Sequence, residues 1–318
     1  MQELKIGIIG LGSIGLRHLN ELLGLGVTNI YALRTNKGAK ELPPEVVNQV
    51  ISTTSKEEFF NWDLDGYLVT NPTSLHVEIL KELKQFNKPI FVEKPLCNNP
   101  EELQALGAFN GELLQIGFCL RFLNVIREVK KILDTKEYGA VYHSRLNVGQ
   151  YLPSWHPYTD YKTEYYARKE LGGGVLRTLS HELDLAFFFF GKPASTKTLI
   201  SKTSDLEIDV DDYALVLMQF EKHLCRIELD FMSKKKERTG TVFCEQADIH
   251  YDVFSRSVEV TDKEGTLILK PSIEENNMYR DQMEAFLEFI KTKNRNPQAA
   301  NFEESIALMK IIADEKLI

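Results

Sequence analysis

Among its 318 residues the sequence carries only four cysteines, Cys97, Cys119, Cys225 and Cys244, and no C-x-x-C pair. Such scattered thiols exclude a disulfide scaffold and a zinc knuckle, and they fit a reducing, cytoplasmic setting. Long apolar runs are missing too: the stretch Leu185 to Phe190 stops at Gly191-Lys192, well short of the ~20 residues that cross a bilayer. The start, Met1-Gln-Glu-Leu-Lys-Ile6, has no basic region, apolar core or cleavage site of an export signal and reads directly into a strand. Positive charge is in deficit, with 38 Lys+Arg against 46 Asp+Glu and a net charge of -8. The whole-molecule field therefore repels polyanions, so no nucleic acid and no membrane is expected as a partner. The basic run Ser233-Lys-Lys-Lys-Glu-Arg238 reads as a solvated hairpin loop. His143, His156 and His181 have no tight ligand spacing, so no metal is expected.

What is present describes an ordinary globular chain, 43% hydrophobic and 26% charged, long enough for about two domains at ~150 residues each. From Leu4 to about Cys119, aliphatic runs alternate with stretches of helical spacing, the mark of a parallel sheet with crossover helices. Strands are expected at Lys5–Ile9, Asn29–Leu33, Val50–Ser52, Tyr67–Thr70, Pro89–Glu93 and Leu113–Phe118. Helices are expected at Ile14–Leu23, Ser74–Phe86 and Pro100–Phe109. After a bridging helix near Phe122–Leu133 the texture becomes strand-rich, with helices at Val175–Phe190 and Met278–Ile290. The expected architecture is α/β, a doubly wound parallel sheet over residues 1–120. It is joined to an α+β domain over 121–318 with a large, mostly antiparallel open sheet. The run Tyr213-Ala-Leu-Val-Leu-Met-Gln-Phe220 hardly alternates. It predicts burial on both faces, by helices on one side and a second subunit on the other, hence a homodimer or homotetramer.

Gly10-Leu-Gly12-Ser13-Ile14-Gly15 follows an aliphatic strand and opens a helix, the context in which G-x-G-x-x-G signals a dinucleotide site. Gly10 permits the tight turn, Gly12 the approach of a pyrophosphate, and Gly15 close packing, with the phosphates at the helix N-terminus. An acidic residue for the ribose of NAD is expected ~20 residues further on, but the chain offers Arg34-Thr35-Asn36 there. Arg34, with Thr35 or Asn36, suits a 2'-phosphate, so NADP is favoured over NAD. The alternative is an Arg34 that stacks on adenine and accepts either. Asn71-Pro72 through His76 and Glu93-Lys94-Pro95 end two further strands, where open α/β sheets bind ligands. A lysine leaving a buried strand ahead of a proline suits a proton donor to a reacting oxygen. The alternative is a structural ion pair with Glu93.

Taken with Gly117-Phe-Cys-Leu-Arg121-Phe122, Gly172-Gly-Gly174 and His181-x-x-Asp184, these motifs resemble, in order and spacing, the glucose-fructose oxidoreductase / inositol dehydrogenase / MocA family. Tyr151-Leu-Pro-Ser-Trp155-His-Pro157 and Tyr161-Lys162 look most like its members tied to bacterial surface-sugar pathways. The resemblance implies a Rossmann domain, a C-terminal domain used for subunit contacts, and hydride exchange between a nicotinamide and a sugar, sugar nucleotide or cyclitol. It implies that Lys94 and His181 are the active-site lysine and histidine, and that the bond before Pro95 is cis. One departure is Thr178, where members commonly carry an aspartate. A threonine cannot supply that charge, so Asp184 either takes over as the orienting carboxylate or pairs with a cation of the first domain. Sugar contacts are then expected from Arg121, Trp155, His156, Tyr161, Lys162, Thr178 and Asp184, with Lys162 or Arg168 on any substrate phosphate. Two rival readings are a non-catalytic cofactor-binding sensor or scaffold, and a lyase or glycosidase that uses NAD transiently.

Overall fold

The computed structural model describes residues 4–35, 44–155 and 158–317. In chain order the first elements are β1 (Lys5–Ile9), α1 (Ser13–Gly24), β2 (Asn29–Leu33), α2 (Pro44–Val47), β3 (Ile51–Thr53), α3 (Lys56–Asn61), β4 (Gly66–Val69), α4 (His76–Leu83), β5 (Ile90–Val92) and β6 (Leu114–Ile116). There follow α5 (Asn124–Thr135), β7 (Val141–Gly149), α6 (Val175–Thr178), α7 (His181–Phe190), β8 (Ser195–Ser201), β9 (Tyr213–Gln219), β10 (Leu224–Asp230), β11 (Glu237–Cys244), β12 (Ala247–Asp252), β13 (Ser257–Asp262) and β14 (Leu267–Leu269). The last are α8 (Met278–Thr292), α9 (Phe302–Ala313) and β15 (Glu315–Leu317). Two compact units result: Met1–Phe122 with Asn277–Met309, and Leu123–Asn276 with Lys310–Ile318.

In the first unit the six strands are parallel in the order β3-β2-β1-β4-β5-β6. β4 and β5 are buried on both faces, which is why they read as runs without polar alternation. The strand order reverses between β1 and β4, so the crevice at their carboxyl ends is the place where such sheets take ligands. Where a single cut near residue 120 is expected, the chain instead returns to this unit. Met283, Phe286 and Phe289 of α8 join Ile6, Leu19, Leu22 and Phe91 in one core, and Ala300 bridges to Ile116. The stretch Pro100–Leu106 is a run of 3₁₀ turns rather than an α-helix. Asn99 caps it and Gly107 ends it at φ +55.

The second unit holds a nine-stranded sheet, β14-β13-β12-β11-β7-β10-β9-β8-β15, antiparallel except for β7 with β10 and β8 with β15. β9 alternates after all: Ala214, Val216 and Met218 are buried while Leu215 and Leu217 face outward. One face is covered, and the outer one keeps Leu199, Leu215 and Leu217 only partly covered. The basic run is exposed at Lys234–Lys236 but is not a hairpin, because β7 lies between β10 and β11. The helix expected over Val175–Phe190 is broken at Leu179-Ser180. Among the described residues no helix is long and apolar enough to cross a membrane, and the four cysteines are buried and outside any disulfide.

Candidate active site

The glycine turn between β1 and α1 is held by contacts that leave no room for side chains at two of its three positions. Gly10 lies at φ +96, its N–H donates to the Leu33 carbonyl at 3.0 Å, and a Cβ there would sit 2.8 Å from the backbone of Asn71. A Cβ on Gly15 would sit 2.2 Å from the Gly10 carbonyl oxygen and 2.8 Å from Thr70 Oγ1. Thr70 Oγ1 itself donates to that carbonyl at 2.5 Å. Gly12 differs: a Cβ there would meet nothing within 4 Å. Gly12 caps α1 with no side-chain bond, and no acidic residue occupies the first turn. Ser13 is exposed and Ile14 half-buried. The helix therefore presents bare N–H groups, and the positive end of its dipole, to open space, which fits a dinucleotide pyrophosphate.

Beyond the end of β2, Arg34 lines an open cavity of about 350 Å³ together with Ser52, Thr53 and Thr54. The Arg34 N–H donates to the Thr53 carbonyl at 2.9 Å, and the Thr53 hydroxyl donates to Glu58. These three hydroxyl residues are not among those expected at the site from the sequence, although their place at the end of a short strand beside β2 was the available signal. Thr35 is exposed, and Asn36 lies outside the described residues.

At the ends of β4 and β5 the two polar loops are tied together. The Lys94–Pro95 bond is cis, Lys94 and Asn71 are half-buried, and Pro72 is exposed. His76, 1% exposed, sets Nδ1 3.1 Å from the Pro95 carbonyl and Nε2 3.0 Å from the Asn71 carbonyl. Burial pushes its imidazole below the usual range, against the opposing pull of those carbonyls and of Glu93. Asn71 Oδ1 is buried with no hydrogen-bond partner. Glu93 does not close an ion pair that would use up its charge on the lysine side chain. Its Oε1 lies 2.6 Å from His18 Nε2, and its Oε2 accepts the Lys94 backbone N–H at 3.1 Å. The structure thus brings Gly10, Gly12, Gly15, Asn71, His76, Glu93 and Lys94 to one end of β1, β4 and β5, and adds Thr70 and His18.

In the second unit, Thr178 and Asp184 are buried and His181, the first residue of α7, is half-buried. Glu182, 1% exposed, points to Arg238, with Oε1 2.7 Å from its Nε. The glycine triplet is explained by its neighbours. A Cβ on Gly173 would sit 2.4 Å from the Tyr165 carbonyl oxygen, and one on Gly174 2.2 Å from Asp211 Oδ1. Asp211 in turn accepts the Leu176 N–H at 3.1 Å. Burial pushes the Asp211 carboxyl up. Trp155 packs edge-on against Tyr166 and Phe231, and its Nε1 is buried without a hydrogen-bond partner. Tyr161 Oη accepts the Glu207 N–H at 3.3 Å, Lys162 pairs with Glu207 at 2.6 Å, and Arg168 pairs with Glu170 at 2.9 Å. His156 lies outside the described residues.

Arg121 is the clear correction. It belongs to the first unit, is 1% exposed, and spends its guanidinium on Glu304 at 3.1 Å and on the Gln298 carbonyl at 3.4 Å. Its role is to pin the returning segment, because a buried guanidinium demands fixed partners.

Residues 4–113 match the family model for the oxidoreductase family with NAD-binding Rossmann fold, and residues 126–250 match the GFO/IDH/MocA C-terminal domain. Inositol 2-dehydrogenase of Gluconacetobacter diazotrophicus is 29% identical over 57% of this chain and 53% of its own length. The first curated relatives are matched over 53% to 64% of their lengths. An oxidoreductase from Agrobacterium radiobacter, solved with NAD+, L-tartaric acid and magnesium, superposes with a TM-score of 0.83 at 14% identity, over 98% of this chain and 95% of that one. UDP-N-acetylglucosamine 3-dehydrogenase from Acidithiobacillus ferrooxidans superposes with a TM-score of 0.76 at 16% identity, over 99% and 97%. With models for both halves matching in order, the chain belongs to the Gfo/Idh/MocA family of oxidoreductases.

Proposed function

We propose that the protein is an NAD(P)-dependent dehydrogenase or reductase acting on a CH–OH group of a sugar, sugar nucleotide or cyclitol. The observation that carries this reading is Lys94, half-buried on a tied loop at the same sheet end as the bare N-terminus of α1. A nicotinamide, when bound, supplies or accepts the hydride. Lys94 Nζ hydrogen-bonds the reacting oxygen and holds or takes its proton, while Asn71 and the α1 amides bind and orient the dinucleotide. His181 and Asp184, with Thr178, are assigned to substrate hydroxyls. Trp155, Tyr161 and Lys162 are further candidates, although the ammonium of Lys162 is already paired with Glu207.

NADP is the favoured cofactor, because Arg34 lines the cavity beyond β2 together with Ser52 and Thr54, a donor set suited to a phosphate. The partly covered outer face of β8–β9 is assigned to contact with a second copy of the chain, and the site of action to the cytoplasm. Lys94→Ala should lower kcat by at least ~100-fold with NADPH affinity largely kept. Turnover is read at the reduced-nicotinamide absorbance during a screen of inositols and of free and nucleotide-linked sugars. A Lys94→Ala variant with near-normal kcat refutes the role. Tighter binding of NADH than NADPH, unaffected by Arg34→Ala, refutes the cofactor preference.

A further inference from the structure

His18 lies on α1, one turn after Gly15, and is fully buried. Its Nε2 is 2.6 Å from Glu93 Oε1, and the other Glu93 oxygen accepts the backbone N–H of Lys94 at 3.1 Å. Gly117 makes room for that carboxylate, since a Cβ there would lie 3.0 Å from Glu93 Cδ and Oε2. The imidazole is itself locked. Its ring meets Phe91, on the strand that leads into Glu93, edge-on at 5.0 Å, and Tyr279 of α8 at 6.0 Å. The Arg17 guanidinium lies 4.6 Å from the centre of the Tyr279 ring. A carboxylate this deeply buried is costly unless it is bonded on both oxygens. Here one bond comes from the helix that presents the dinucleotide site and the other from the peptide that launches the lysine.

We propose that His18 is a positioning residue which, through Glu93, fixes the direction in which Lys94 leaves β5 and couples that direction to α1. This rests on the reading of Lys94 given above. Glu93 touches the lysine's backbone rather than its amine, so the dyad sets where the side chain starts and leaves the proton chemistry to Nζ. The bare amide end of α1 lies on the far side of Gly15 from His18, so loss of the imidazole should disturb Lys94 and spare the dinucleotide. A merely structural histidine would lower both together.

The test uses His18→Phe, which fills the volume without the hydrogen bond, and His18→Asn, which restores a donor, alongside Glu93→Gln and the double variant. Cofactor affinity, kcat, KM and the melting temperature are measured for each. The rate at which trinitrobenzenesulfonate modifies Lys94 in cofactor-free protein is read by peptide mass mapping. For His18→Phe the expected result is a kcat lowered by about 10- to 100-fold, the range seen when groups supporting a functional residue are removed. NADH and NADPH affinity should stay within a few-fold and Lys94 modification should change several-fold, with partial recovery in His18→Asn. In the His18→Phe background Glu93→Gln should add little, because both changes break one linkage. Unchanged kcat and unchanged Lys94 modification overturn the inference, as does a parallel loss of cofactor affinity and turnover. If the wild-type protein binds neither nucleotide, the oxidoreductase reading itself fails. Lys94 modification then still decides whether His18 positions the lysine.

Discussion

Replacing Gly12 by alanine separates the cofactor site from the fold more cleanly than any other substitution in the turn. Gly12 has φ -74 and ψ -168, a conformation open to every residue, and the added methyl meets no atom within 4 Å. The ligand-free protein should therefore hold its melting temperature or gain up to ~1 kcal/mol from the stiffer unfolded chain. A phosphate brought against the α1 amides occupies that same open space, and the methyl displaces it. Charge-assisted hydrogen bonds worth about 1.5–3 kcal/mol are then lost, a rise in Kd of about 10- to 150-fold. A thermal melt reads the difference directly. At 100 times the wild-type Kd, cofactor stabilises by about 2.7 kcal/mol, and after a 100-fold loss by about 0.4 kcal/mol. At ~2–4 °C per kcal/mol for a unit of this size, a cofactor-induced rise of about 5–10 °C shrinks to about 1 °C. Gly15→Ala is the contrast: its Cβ would meet the Gly10 carbonyl oxygen at 2.2 Å, and such overpacking costs about 1–3 kcal/mol before any ligand is added. A Gly12→Ala protein that keeps the full cofactor-induced rise, or that melts early like Gly15→Ala, refutes this account of the turn.

Other consequences are as direct. The depressed His76 imidazole means that, as pH falls, the unfolded chain takes up that proton first, near its ordinary pKa of ~6.5. The stability His76 contributes is thus full above that pH and lost as pH drops toward the folded-state value. Melting temperature should fall less steeply between about pH 7 and 5 in His76→Gln than in wild type, and parallel curves would exclude His76 from the pH response. His223, also depressed by burial, leaves a residual slope in both. Arg121→Met should cost about 1–3 kcal/mol by stranding the Gln298 carbonyl and removing the ion pair with Glu304, while KM for any sugar stays unchanged. A raised KM at normal stability would restore Arg121 to the substrate site. Leu217→Glu, on the partly covered face of β9, should dissociate a dimer or tetramer seen by light scattering at micromolar concentration. A wild-type protein already monomeric there removes the proposed contact.

The parts of this fold that the sequence makes legible are those where a backbone constraint and a local pattern coincide. β1 and β2 end where their aliphatic runs end, and the glycine turn is readable because two of its three positions have their own steric reason, now visible as distances of 2.2 and 2.8 Å. Other signals were present and passed over. Asn301 and Glu304 form a reciprocal cap, Asn301 Oδ1 accepting the Glu304 N–H at 2.9 Å and Glu304 Oε2 accepting the Asn301 N–H at 3.1 Å, the N-x-x-E mark of the start of α9. β12 alternates Ala247, Ile249 and Tyr251 inward, a pattern as plain as that of its neighbours. What could not be read is the side-chain wiring. Arg121 beside a glycine turn has the look of a ligand grip until Glu304, far along the chain, claims it. His18 has no local reason to be anything but a helix residue until β5 delivers Glu93, 75 positions away, to its ring. Such pairs depend on the register of β5 and on the turn of α1 about its axis, and neither leaves a trace within a window of neighbouring residues. The residues that perform chemistry at a strand end are therefore easier to find than those that aim them, because the first are marked by where the chain must bend and the second only by what the bend brings near.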